Sequence, residues 1–272
     1  VVYCHDVEFV TPAEVLVAIK ELRRIRDEEG TIKYVGISGY PVTVLCELAE
    51  LVLTETGQPL DCVMSYANYS LQNRRLETDG LKRLIAAGVS VVPNASILGM
   101  GLLRRSGVPV GGAGNWHPAP NGLREVCRKA SDFCDSKGEK LEVVAIRWAL
   151  ESWIEKGSVV GSKGDPASGV PWKQETKADV GCQKLGVSVM GVSSIAELDE
   201  TMRVWRSVLD GLEGGKATAK AAGRGEGDRD WSLQRREEVK ALAEGIWEAL
   251  GEWTDFAWAS PDIDYVREPI VE

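Results

Sequence analysis

Lys33-Tyr34-Val35-Gly36-Ile37-Ser38 is a short apolar run closed by Gly39-Tyr40-Pro41. Apolar residues then recur at helical spacing (Leu45, Leu48, Ala49 and Val52) to about Glu55, before a second run, Asp61-Cys62-Val63-Met64-Ser65-Tyr66. Strand, helix and strand in succession make a βαβ unit. The rhythm extends both ways. Val1 to His5 is β-rich, and Thr11-Pro12 then marks a helix start whose apolar spacing (Val15, Leu16, Ile19, Leu22, Ile25) lasts until Gly30. Downstream, a helix is predicted from roughly Leu76 to Ala87 and a strand over Val89-Ser-Val-Val92. Strand-like ends at His5, Ser38, Tyr66 and Asn94 lie 33, 28 and 28 residues apart, each gap holding a helix. That is the pattern of a parallel sheet covered by its crossover helices.

Beyond Asn94 the rhythm loosens. Gly99 to Gly122 is a glycine- and proline-rich loop carrying Gly111-Gly112 and Trp116-His117-Pro118, and amphipathic helices follow over Leu123 to Ser136 and Leu141 to Ile154. Residues 158–186 read as an insertion, Val187-Ser-Val-Met-Gly191 as a fifth strand, and Ile195 to Leu209 as its helix. The stretch 211–230 is a low-complexity linker, and a last helix from Leu233 to Leu250 precedes the tail. The chain thus divides into 1–210, the linker 211–230, and 231–272.

Composition narrows the classes. An apolar share of 44% with 27% charged residues excludes a disordered chain. No apolar run approaches the ~18 residues that span a bilayer, so no membrane partner is expected. With 41 acidic against 32 basic residues the net charge is −9, which argues against nucleic acid. Six scattered cysteines without a CxxC pair, and two histidines, group no metal ligands and suit a reducing, cytoplasmic setting. Asn68-Tyr-Ser70 and Asn94-Ala-Ser96 match the glycosylation pattern but follow strand-like runs, so they read as accidental. The opening Val1-Val-Tyr-Cys-His5, without Met, reads as the middle of a strand in a truncated chain.

Five parallel strands fit a doubly wound sheet or part of an eight-stranded barrel. The first needs GxGxxG after a strand, and Gly99-Met-Gly101-Leu-Leu-Arg104 breaks at the third glycine. No GxxxxGK[ST] occurs. Polar residues instead gather at the C-terminal strand ends: His5-Asp6, Ser38-Gly39, Tyr66-Ala-Asn68, Asn94-Ala-Ser96 and Gly191-Val-Ser193-Ser194. In barrel enzymes that rim carries the chemistry.

Six segments in order, Cys4-His-Asp-Val-Glu-Phe9, Tyr34-Val-Gly-Ile-Ser-Gly39, Ser65-Tyr-Ala-Asn-Tyr-Ser70, Asn94 through Leu103, Trp116-His-Pro118 and Gly191 through Leu198, resemble the aldo-keto reductase family. The resemblance is to the branch that oxidises aldoses of the D-arabinose or L-galactose class at C1 to a lactone. It implies an α/β fold, a (β/α)8 TIM barrel that is incomplete here, with the fourth to eighth strands present and the first three missing. It also implies a nicotinamide cofactor, NAD or NADP, and a small sugar or aldehyde substrate; no oligomeric state follows from it.

Carried over residue by residue, His5 is the active-site histidine that orients the substrate oxygen, against a competing reading as a strand-end histidine satisfied by backbone. His117 reads as structural or substrate-side. Ser38 and Tyr66 fall where the family contacts the nicotinamide carboxamide, although Gly39 replaces an Asn and Tyr66 a Gln. Ala95 replaces a stacking aromatic. Ser96, Leu98 and Gly99 match the pyrophosphate turn. Gly191, Ser193 and Ser194 match the adenosine-phosphate pocket at a helix start, with Glu197 and Glu200 toward the adenine and Thr201 in place of an Asn. No Lys or Arg stands between Gly191 and Glu200 to pair a 2′-phosphate, which favours NAD.

The family's proton-transfer tyrosine, with its lysine and aspartate, has no counterpart here. The chain is therefore expected to be catalytically incomplete, losing the ~10²–10⁴-fold that proton transfer contributes. Two other classes stay open: an NADPH-dependent carbonyl or aldehyde reductase, and a non-catalytic cofactor-binding barrel.

Overall fold

The computed structural model describes residues 1–108, 117–162, 184–212 and 227–260. Five strands, β1 (Val2–His5), β2 (Val35–Gly39), β3 (Cys62–Tyr66), β4 (Asn94–Ala95) and β5 (Ser188–Val189), form one sheet in the order β1-β2-β3-β4-β5. Every neighbouring pair is parallel. The order never turns back, so among the described strands there is no switch point of the kind a doubly wound sheet requires.

Helices α1 (Pro12–Glu29) and α2 (Val42–Thr56) make the first two crossovers. The sequence signals at α1 hold: Thr11 accepts from Glu14 N–H while Glu14 reaches back to Thr11 N–H at 2.8 Å, and Gly30 ends the helix at φ 67°. Val35, Ile37 and Val63 bury 99–100% of their surface against Val15 and Ile19 of α1 and Leu45, Leu48 and Val52 of α2. Because side chains alternate along a strand, Tyr3, His5, Met64 and Tyr66 stand on the opposite face, half-buried or exposed.

Three elements differ from their sequence reading, one of them the last helix, which starts at Gly227, inside the expected 211–230 linker, and not at Leu233. The helix expected from Leu76 begins as a π-turn, Leu76–Gly80, and becomes α-helical (α3) only over Leu81–Ala86. Gly80 presses on α2 there: a Cβ at this position would meet Val42 Cγ1 at 2.6 Å. The fourth strand pairs regularly at Asn94–Ala95, beyond the predicted Val89–Val92, of which only Val91 bridges β3. Pro93, lacking an N–H, accepts from Ser65 N–H at 3.2 Å but donates nothing, which interrupts the ladder.

Four further helices complete the layer: α4 (Asn121–Ser136), α5 (Leu141–Lys156), α6 (Ile195–Asp210) and α7 (Gly227–Leu250). Leu123, Cys127, Ala130 and Cys134 of α4 pack against Val239, Ala243, Ile246 and Leu250 of α7. A fully buried aliphatic side chain of this kind contributes about 1.5–3 kcal/mol. Arg147, 2% exposed, ties three helices together, donating to Ser207 Oγ at 2.7 Å, to Ser232 O and Oγ at 2.8 and 2.9 Å, and to Glu151. Ser162 and Leu185 exchange two backbone bonds of 3.0 Å at the neck of the 158–186 segment. Most of that segment, Gly111-Gly112, Trp116, Cys182 and most of the 211–230 linker lie outside the described residues. No helix among the described residues is long and apolar enough to cross a membrane.

Candidate active site

The C-terminal ends of β1, β3 and β4 open on one cavity of about 670 Å³. Its walls include His5, Asp6, Tyr40, Tyr66, Ser96 and Trp258. The polar floor joins the His5–Asp6 ion-pair contact to hydrogen bonds among Asp6, Glu8, Tyr40 and Tyr66. His5 Nδ1 lies 2.8 Å from Asp6 Oδ1, and Tyr66 Oη lies 3.1 Å from the same oxygen and 3.3 Å from Glu8 Oε1. Glu8 Oε1 also accepts from Tyr40 N–H at 3.0 Å. Burial, and then the carboxylates of Glu8 and Asp6, push the Tyr66 phenol above its ordinary pKa, so it stays a donor. Burial pushes the Tyr40 phenol the same way.

The aromatic wall is assembled from distant sequence. Tyr40 and Trp258 stack with ring centres 4.8 Å apart and planes 4° from parallel. Trp258 reaches the site because the segment after α7 is pinned to the loop after β3. Gln72 Nε2 donates to Trp253 O and Phe256 O at 2.8 and 2.9 Å, and Asp255 pairs with Arg74. His117 is 2% exposed, beside Trp258; it accepts from Ala119 N–H at Nδ1 and meets Gly99 O at Nε2, both at 3.1 Å. Two backbone contacts thus hold its ring inside the fold. Asn68 and Asn94 are buried amides bonded to Tyr40 O and Tyr69 O, so neither glycosylation pattern is exposed.

A second, smaller cavity of about 190 Å³ lies at the start of α6, lined by Leu98, Arg104, Glu142, Gly191, Glu197 and Glu200 among others. The turn after β4 serves both cavities, with Ser96 on the first and Leu98 on the second. Ser96 and Met100 hold left-handed backbone, φ 52° and 58°.

The expected site residues therefore divide. His5, Tyr66 and Ser96 share the first cavity; Leu98, Gly191, Glu197 and Glu200 share the second. Ser38 lines neither: it is fully buried, in register with His5 and Met64, and its hydroxyl has no hydrogen-bond partner among the described residues. The Gly99 amide is spent on Ser96 O at 2.8 Å. Ser194 caps α6, accepting from Glu197 N–H at 3.2 Å. Ser193 donates through both N–H and hydroxyl to Glu197 Oε2, at 2.7 and 2.8 Å, which holds that carboxyl below its usual range. The helix start is thus filled by the chain's own carboxylate.

Sequence reasoning assigned no role to Asp6, Glu8, Tyr40, Arg104 or Trp258. Asp6 and Glu8 stood in the quoted Cys4–Phe9 segment, two positions apart; nothing local marked Trp258. Among the described residues no group of three His, Cys, Asp or Glu is placed to hold a metal.

The model of the Aldo/keto reductase family matches residues 1–216. D-arabinose 1-dehydrogenase of Saccharomyces cerevisiae is 41% identical over 161 residues, 58% of this chain and 46% of that protein. L-galactose dehydrogenase of Arabidopsis thaliana is 32% identical over 162 residues, 59% of this chain and 47% of that protein. The chain spans about half the length of these curated relatives. With the family match running through every strand of the sheet, the chain belongs to the aldo/keto reductase family.

Proposed function

We propose that the chain is the cofactor- and substrate-binding part of a cytoplasmic, NAD-dependent aldose dehydrogenase that oxidises an aldose of the D-arabinose or L-galactose class at C1 to a lactone. Its five strands are read as the fourth to eighth of a (β/α)8 barrel. The observation that carries this is the pair of adjoining cavities bridged by the Ser96–Leu98 turn, which suits an elongated dinucleotide.

The residues present fit such a group. At the first cavity Tyr66 and Ser96 are the polar groups a carboxamide would meet, whereas Ser38, fully buried and lining neither cavity, would not reach it. A nicotinamide held here would supply the hydride acceptor for the substrate carbon. His5 binds the substrate oxygen at the mouth, the buried Tyr40–Trp258 stack forms an apolar wall of the cavity, and Ser96 stands at the turn toward the second cavity. There Arg104 Nη2 lies 3.6 Å from Glu197 Oε1, while Glu142 accepts from the Arg105 N–H and Glu200 pairs with Lys140 and Arg203. Among the described residues Arg104 is the one cation lining this cavity and is already paired with Glu197, which favours ribose hydroxyls over a 2′-phosphate, and hence NAD. Taken alone, the 272 residues lack the tyrosine, lysine and aspartate that the resemblance assigns to proton transfer, so aldose oxidation by this chain is expected to be weak or lost.

Titration of the chain with NAD and with NADP, followed by tryptophan fluorescence, tests the reading. Quenching that saturates with NAD at lower concentration than with NADP is the expected result. No saturable binding of either sinks the cofactor reading, and preference for NADP turns it toward a carbonyl reductase.

A further inference from the structure

Helix α6 is apolar on two faces. On one, Val204 and Val208 are buried in a cluster with Leu150 and Ile154 of α5. The other is the run Ile195, Leu198, Met202, Trp205 and Leu209, whose alternating steps of three and four residues are those of a helix-pairing seam. Only its last member is buried. Ile195 is 79% and Leu198 45% exposed, and Met202 and Trp205 are half-buried. Val189 and Val192 are exposed beside it, and the stripe borders an apolar groove of about 320 Å³. Apolar surface gathered in one patch marks an association site, whereas single exposed residues do not.

Two charges point to what covers it. Asp199 follows Leu198 and Arg206 follows Trp205, so both flank the same side of the stripe. Both are exposed, and neither meets a charged partner among the described residues. Seven residues apart, they stand about 10 Å from each other along the helix axis, too far to pair within one chain. Glu197 and Glu200, by contrast, line the second cavity and pair with Arg104 and Lys140.

We propose that this face of α6 docks a second copy of the chain, the two α6 helices lying antiparallel about a two-fold axis. An axis passing between Met202 and Trp205 sets Met202 of one protomer against the partner subunit's Trp205. The same register brings Asp199 beside the partner subunit's Arg206, and the symmetry repeats both contacts. In a parallel pair these charges would lie beside Ser194 and Thr201 and stay unpaired, so charge selects the antiparallel arrangement. The pairing closes at two copies and does not depend on what either cavity binds.

Sedimentation velocity of the chain between about 1 and 100 μM should show a monomer–dimer equilibrium and no larger species. Leu198→Glu should leave a monomer with unchanged circular dichroism, whereas Val17→Glu, on the exposed side of α1, should leave the dimer intact. Asp199→Arg and Arg206→Asp should each raise the dimer dissociation constant about tenfold, because two symmetric contacts turn repulsive together. The double variant restores opposite charges across the axis and should return to within about twofold of the unmodified chain. A monomer throughout the range overturns the proposal, as do assemblies larger than a dimer, which would belong to the open sheet edges at β1 and β5. A dimer untouched by Leu198→Glu overturns it equally, as does a double exchange that fails to restore what the single changes lose. Should Leu198→Glu lose its fold, the charge exchange at the two exposed positions decides alone.

Discussion

A Cβ at Gly39 would stand 2.4 Å from Glu8 Oε2, so the absence of a side chain at 39 is what admits the Glu8 carboxylate to the floor of the cavity. From there Glu8 accepts from Tyr40 N–H and from the Tyr66 hydroxyl.

Gly39→Ala should expel that carboxylate and lose both bonds, costing about 1–3 kcal/mol of stability. Urea denaturation measures it. In a Glu8→Ala background most of the cost should vanish, because the clash and the bonds belong to the same pair. Additive losses would show that Gly39 serves another contact.

Arg147→Ala should be among the most damaging single changes, at about 3 kcal/mol, since it strips the link between α5, α6 and α7 from a dry interior. Arg236, 2.6 Å from Glu151 Oε1, leaves that carboxylate partnered, so the loss should not exceed the usual range for a broken buried pair. A melting temperature within a degree or two of the unmodified protein would contradict this.

Stability should decline on the alkaline side from about pH 9. Burial pushes the thiols of Cys46 and Cys134 from 9.0 up to about 11 and that of Cys127 up to about 12, and the Tyr69 phenol from 10.0 to about 12. Each group keeps its proton in the fold after the unfolded chain has released it. The unfolded state then binds fewer protons, and unfolding becomes easier as pH rises from 9 through 12. Melting temperatures across that range check the prediction; a flat profile to pH 11 would mean that these groups are solvated.

Glu197→Gln should weaken the internal anion at the start of α6 and release Arg104. Affinity for NADP relative to NAD is expected to rise about tenfold, equivalent to one charge-assisted contact. The ratio of the two dissociation constants reads it directly, and an unchanged ratio would place the 2′-position away from this cavity.

The sequence by itself determined the parallel βα succession, the capped start and glycine stop of α1, and the strand ends that carry His5, Tyr66 and Ser96. These follow from periodicity and local backbone chemistry, which act over a few residues. It could not settle which cavity each site residue would join, because strand spacing sets order and not position on the rim. Ser38 was expected at the cofactor and lies beneath the floor; Gly99 was expected to offer an amide that its own turn consumes. The absence of a cation between Gly191 and Glu200 was correctly seen, yet Arg104 arrives at the same cavity from the turn after β4. Trp258 could be placed only by the tertiary structure, since Gln72 and Arg74, more than 180 residues upstream, fix the segment that carries it. Contacts of that separation arise from packing and charge pairing, and no local pattern encodes them.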